Sequence, residues 1–108
     1  MNFETLEQDV LQWAEDRKII PNSTPQTQLL KSLEEIGELA GATLKGNEDG
    51  IVDGVGDLLV TLIIYCALQN IDPIVCLASA YDTIKDRKGT LTPEGVFVKE
   101  ADDVRSPE

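Results

Sequence analysis

The sequence predicts an all-α protein, a four-helix bundle with a short extended segment near its C-terminus. Apolar residues recur at three- and four-residue spacing in four successive segments, the mark of helices with one buried face. Breaker residues separate those segments at Pro21, at Gly46 and Asn47, at Pro73 and at Gly89. The length, 108 residues, suits a single domain and is short for two.

The first helix is expected from about Phe3 to Lys18, where Phe3, Leu6, Val10, Trp13 and Ala14 share a face and Leu11 widens it. The stretch IIPNSTP reads as a breaker. Thr24 is a natural N-cap for the second helix, with Pro25 at its first position. Leu29, Leu30, Leu33, Ile36, Leu39 and Ala40 form its apolar side, and Gly46 and Asn47 can both adopt positive φ to end it. The third helix is expected from about Asp49 to Gln69. It begins with acids, which suits the helix dipole, and then becomes apolar on nearly every side. In a domain this small, such a helix predicts burial against a second subunit. Asp72 and Pro73 should open a fourth helix running to about Arg87, with Gly89 ending it. Val96-Phe97-Val98 reads as a short extended piece that packs back. The whole chain, 1–108, is expected to be one domain with its core at about 3–100 and a frayed acidic tail at 101–108.

Twenty acidic residues against nine basic ones give a net charge of −11. That balance argues against coating nucleic acid, which requires cations to displace phosphate counterions, and against an anionic membrane surface. The longest apolar run, Leu58 to Leu68, is shorter than a membrane span. The acidic N-terminus has no apolar stretch of the signal-peptide kind. Cys66 and Cys76 lack metal-ligand spacing and read as two buried thiols in a reducing cytosol, so a cytoplasmic location is expected.

The chemistry lies in the carboxylates. Glu34, Glu35 and Glu38 project over one patch of the second helix, and Asp53 and Asp57 stand one turn apart on the third. The short connection makes the two helices antiparallel neighbours, which brings Glu35 and Glu38 opposite Asp53 and Asp57 if the register matches. These acids interrupt apolar stripes, and an unpaired buried carboxylate is costly without a partner or a metal. Convergent oxygen ligands favour a hard divalent cation, Mg²⁺ first and Mn²⁺ second. Gly37, Gly41, Gly54 and Gly56 accompany the acids at about 1 kcal/mol each relative to alanine, which suggests close helix approach or room for a ligand.

KSLEEIGELA from Lys31 to Ala40, followed by VDGVGDLLV from Val52 to Val60, resembles the all-α MazG-like nucleotide pyrophosphohydrolases. Their pattern is EExxE on one helix and ExxD on the next. Glu34-Glu35-Ile36-Gly37-Glu38 matches the first half. The second half departs from it, with Gly54 where a glutamate is expected and Asp53 one position earlier as the natural substitute. Trp13 and Arg17, the segment holding Lys85, Arg87 and Lys88, and GVFVKE near the C-terminus extend the resemblance over about residues 3 to 100.

The resemblance implies Mg²⁺-dependent hydrolysis of a nucleoside or deoxynucleoside triphosphate to the monophosphate and pyrophosphate. It implies Glu35, Glu38, Asp57 and Asp53 as metal ligands, and Glu34 as the group that orients or deprotonates water, with Glu35 able to exchange roles with it. It further implies Lys31, Lys85, Arg87 or Lys88 on phosphate oxygens, Trp13 stacked on the base, and a homodimer or homotetramer. A di-iron carboxylate bundle is disfavoured because the chain contains no histidine. The alternative is a catalytically silent MazG-like interaction module, which Gly54 supports.

Overall fold

The computed structural model describes residues 1–100; the tail expected at 101–108 lies outside them. The described residues form helices α1 (Phe3–Asp16), α2 (Ile19–Asn22), α3 (Pro25–Lys45), α4 (Glu48–Leu68) and α5 (Pro73–Ile84), followed by strands β1 (Gly89–Leu91) and β2 (Phe97–Lys99). They divide into two compact units, the first Met1–Pro73 and the second beginning at Ile74.

In the first unit each long helix starts on a side-chain cap. The side chain of Asn2 accepts from the Thr5 N–H, that of Thr24 from the Thr27 N–H, and that of Asn47 from the Gly50 N–H. Each bond satisfies one of the amide groups that a helix start leaves without an internal partner. α3 ends as expected on Gly46, in the left-handed conformation at φ 66°. Asn47, in contrast, has φ −88° and is the cap of α4. With so short a connection α4 folds straight back along α3, and the two helices form the main packing of the unit. Along the pair, Ser32 meets Thr61, Leu39 meets Gly54 and Ala42 meets Gly50, so the helices run antiparallel. α1 lies against α4, and the short α2 touches both.

The expected breaker between the first two long helices contains a helix of its own. Lys18 takes the left-handed conformation at φ 62°, which ends one helix and redirects the chain into Ile19–Asn22. The Asn22 amide holds that turn by donating to the Lys18 carbonyl at 2.8 Å. Pro21 is tolerated because the first turn of a helix has no use for its missing N–H. Among the described residues the count of four helices is therefore corrected to five.

By length and mean hydropathy alone, 2.0 in its best window, α4 is apolar enough to cross a membrane, which the run Leu58–Leu68 did not reveal. Its pairing with α3 and the acids in its first half are those of a core helix.

The first unit buries few apolar side chains completely. Ala14, Ile63, Ile64 and Cys66 are the buried hydrophobic residues, while Leu30, Leu33, Val52 and Leu59 remain exposed.

In the second unit α5 opens on Pro73 as expected but ends at Ile84, three residues early. Gly89 is not a terminator; it begins β1 and pairs with Lys99 of β2, while Thr90 pairs with Val98 and Leu91 with Phe97 in antiparallel register. A side chain at Gly89 would collide with the Val98 carbonyl and the Phe97 ring. The extended piece around Phe97 thus packs back as a hairpin strand. Cys76, expected to be buried, is exposed, because α5 buries none of its residues.

Candidate active site

The α3–α4 pair fixes the height of each acid. The Ser32 hydroxyl lies 2.8 Å from Thr61 Oγ1 and 3.0 Å from the Gln28 carbonyl, and Thr61 donates on to the Leu58 carbonyl at 2.8 Å. This buried chain of hydroxyls pins the two helices one turn before Glu35. Two turns beyond Ser32, the helices come close at Gly54, where a Cβ would meet Leu39 Cβ and Cδ1 at 3.1 Å and Leu39 Cα at 3.3 Å. An acid at position 54 would press on the α3 backbone, which gives a steric reason for glycine there.

Between these two contacts Glu35 faces Asp57. Oε1 of Glu35 is buried and has no hydrogen-bond partner. Burial pushes the Glu35 carboxyl above the usual glutamate range, and the negative charges of Glu38 and Asp57 push it further, against a smaller pull from Lys31. Lys31 itself is drawn to Glu34, with Nζ 3.2 Å from its carboxylate, and this bond raises the lysine pKa. Both partners are more than half exposed, so the pair adds little stability.

Asp57 borders three cavities. The largest, about 490 Å³, is lined by Glu38, Asp53 and Asp57 together with Lys45 and Gly41. A smaller one, about 200 Å³, lies between α1, α3 and α4 and is bounded by Trp13, Gln28, Lys31, Glu35, Asp57 and Thr61. The third, about 380 Å³, is a mostly apolar recess between α1 and α4 that also touches Trp13. Trp13 is 45% exposed, a wall residue rather than core, with the Arg17 guanidinium 5.7 Å from its ring centre.

The helical pair therefore brings Glu35, Glu38, Asp53 and Asp57 to two adjoining cavities with Lys31 and Trp13, and leaves Glu34 on the rim, paired with Lys31. Lys85, Arg87 and Lys88 belong to the second unit, at and beyond the end of α5; Lys85 pairs with Asp82 at 2.9 Å. Among the described residues no three acids stand close enough together to form a ready-made metal group. The orphaned Glu35 oxygen beside two like charges nevertheless suits a hard divalent cation, which would relieve both the repulsion and the missing partner.

Two polar residues of these cavities escape a search for acids. Gln28 precedes Glu35 by two helical turns and Lys45 follows Glu38 by two, so Gln28, Lys31, Glu35, Glu38 and Lys45 form one stripe at helical spacing. That stripe is the sequence signal for both.

No family model matches the chain. The fold is that of a MazG-like pyrophosphohydrolase. The cyanophage S-2L MazG-like enzyme, solved bound to dGDP and three catalytic Mn²⁺ ions per active site, superposes with a TM-score of 0.70 over 93% of this chain and 98% of its own, at 20% sequence identity. An uncharacterized 18.2 kDa protein from the rep-hol intergenic region of Haemophilus phage HP1 is 38% identical over 74 residues, 68% of this chain. The match covers 45% of that phage protein, so the chain spans less than half the length of the curated relative.

Proposed function

We propose that the protein is a nucleotide pyrophosphohydrolase that cleaves nucleoside or deoxynucleoside triphosphates to the monophosphate and pyrophosphate. It uses Mg²⁺, for which Mn²⁺ can substitute. The observation that carries this reading is the Glu35 carboxylate, half-buried, unpartnered at Oε1 and facing Glu38 and Asp57. The cyanophage enzyme of the same fold, with its bound nucleotide and Mn²⁺, supports it.

In this reading Glu35, Glu38, Asp53 and Asp57 hold the cation. A cation held there would supply charge to offset the phosphates and would lower the pKa of a water molecule toward neutrality. Glu34, or Glu35 in exchange with it, would orient a water molecule and take its proton as the water oxygen attacks the α–β phosphoanhydride. One phosphorus–oxygen bond of that α–β bridge would break as the new one forms, giving the monophosphate and pyrophosphate. Lys31 and Lys45 are the cations of the first unit suited to phosphate oxygens, and Lys85, Arg87 and Lys88 are those of the second. Trp13 offers a stacking surface for the base. The exposed apolar residues Leu30, Leu33, Val52 and Leu59 favour a homodimer or homotetramer. The excess of carboxylates favours neither nucleic acid nor a membrane as partner, and two free cysteines accord with the cytoplasm.

The test is a panel of NTPs and dNTPs in Mg²⁺, with pyrophosphate and orthophosphate followed separately. Pyrophosphate release that disappears in Glu38→Gln and Asp57→Asn supports the reading. Absence of turnover in Mg²⁺ and in Mn²⁺ favours the second reading, a catalytically silent module of the same fold, for which Gly54 in place of an acid is the specific observation.

A further inference from the structure

The 200 Å³ cavity is too small for a whole nucleotide but has room for a ring, since pockets for drug-sized ligands start at about 300 Å³. Its wall is largely apolar, with Trp13, Ile19, Val60 and Ile64, and its charged residues are Lys31, Glu35 and Asp57. Gln28 stands apart in this lining. It is 8% exposed, although glutamine is ordinarily a surface residue. Its Nε2 donates to the Ser23 hydroxyl at 3.0 Å, which fixes the amide, and the Ser32 hydroxyl meets its backbone carbonyl. With Nε2 engaged, Oε1 is left as an acceptor that makes no hydrogen bond within the chain. The residue is buried as a whole, yet this oxygen is not among the sealed, unpartnered atoms; held by the Ser23 contact beside a ring-sized cavity, it is open to accept from whatever enters.

We propose that Gln28 determines base specificity, its Oε1 accepting a hydrogen bond from the exocyclic amino group of the substrate base. Adenine, guanine and cytosine carry such a donor, whereas uracil and thymine present carbonyl oxygens at the corresponding edge. An incoming carbonyl would leave two acceptors facing each other. The favoured substrates are therefore nucleotides with an amino-substituted base. The assignment of a nucleotide to this cavity rests on the function proposed above.

The experiment follows two readouts on the full chain. The first is kcat/KM for pyrophosphate release from dATP, dGTP, dCTP, dTTP and dUTP. The second is quenching of Trp13 fluorescence by dAMP, dGMP, dCMP and dTMP in Mg²⁺; Trp13 is the sole tryptophan and lines the same cavity, so it reports binding without turnover. At least one amino-base nucleotide is expected to exceed dTTP and dUTP in kcat/KM, and dTMP in quenching, by about tenfold or more. Gln28→Met, of similar volume but without the acceptor, should bring the two classes within about threefold of each other. Gln28→Glu, which keeps an acceptor, should retain the preference, and it carries the test alone if Gln28→Met fails to fold. The proposal is overturned if dTMP binds as well as the best amino-base nucleotide, if Trp13 responds to none of them, if Gln28→Met leaves the ratio unchanged, or if Gln28→Glu abolishes it. Selective quenching without any turnover would sink the pyrophosphohydrolase reading and leave the Gln28 assignment standing. Turnover with a preference indifferent to Gln28→Met would do the reverse.

Discussion

Ser32 and Thr61, 29 residues apart in sequence, share a buried hydrogen bond of 2.8 Å that ties α3 to α4 one turn before the first site carboxylate. Ser32→Ala is expected to cost about 1 kcal/mol, the net worth of a typical intramolecular hydrogen bond, and to lower Tm by about 4–8 °C in a domain of this size. Thermal unfolding checks this. A loss of less than a degree would mean that packing alone sets the register.

Gly54→Glu restores the acid of the family pattern in sequence, yet it is expected to harm the protein. The new Cβ would crowd Leu39, and overpacking at such a contact costs about 1–3 kcal/mol. Urea unfolding should show a lower midpoint, and pyrophosphate release should fall rather than rise.

The carboxyl of Glu35 is raised in the folded chain by burial and then by Glu38 and Asp57. A raised carboxyl contributes stability that is fully present below its unfolded pKa and is lost as pH rises through the folded one. In EDTA, Glu35→Gln should therefore be more stable than the parent chain at pH 7, and the difference should shrink as pH falls toward the ordinary glutamate value. Glu7, raised by burial and by Asp72 and Glu4, adds to the parent's gain on acidification and is common to both chains. A difference independent of pH would exclude the electrostatic origin.

Mg²⁺ should reverse that order. Saturation at about 100 times Kd stabilises a binding protein by about 2.7 kcal/mol, and EDTA should remove the gain. Asp57→Asn and Glu38→Gln should abolish the shift and reduce pyrophosphate release by more than about 100-fold, since even outer partners of metal ligands are worth 10–100-fold. A full Mg²⁺ shift in either variant would remove that residue from the ligand set.

The α3–α4 hairpin was legible because local signals agreed with the tertiary outcome: Thr24 and Pro25 start one helix, Gly46 ends it, and acids open the next. The acids sat on visible helical spacings, so their facing arrangement followed once the connection was known to be short. α2 was hidden because Ile19–Asn22 contains a proline and depends on a left-handed Lys18, which no propensity favours. Gly89 is not legible as a strand residue because a glycine after a helix resembles a terminator, whereas its role is to admit the Val98 carbonyl and the Phe97 ring. Gln28 and Lys45 share the stripe of the glutamates but carry no negative charge, so their residue types do not mark them as part of a metal site. Leu30 and Leu33 read as core from their spacing and are exposed within a single chain.

The thin buried core bears on the calorimetry of the isolated chain. Among the described residues, only Ala14, Ile63, Ile64 and Cys66 are buried hydrophobics, and the heat-capacity increment of unfolding scales with apolar surface newly hydrated. A single chain should thus fall below the 1.2–1.5 kcal/mol/K usual for about 100 residues. Its free-energy curve is correspondingly flat, with weak curvature toward both cold and heat.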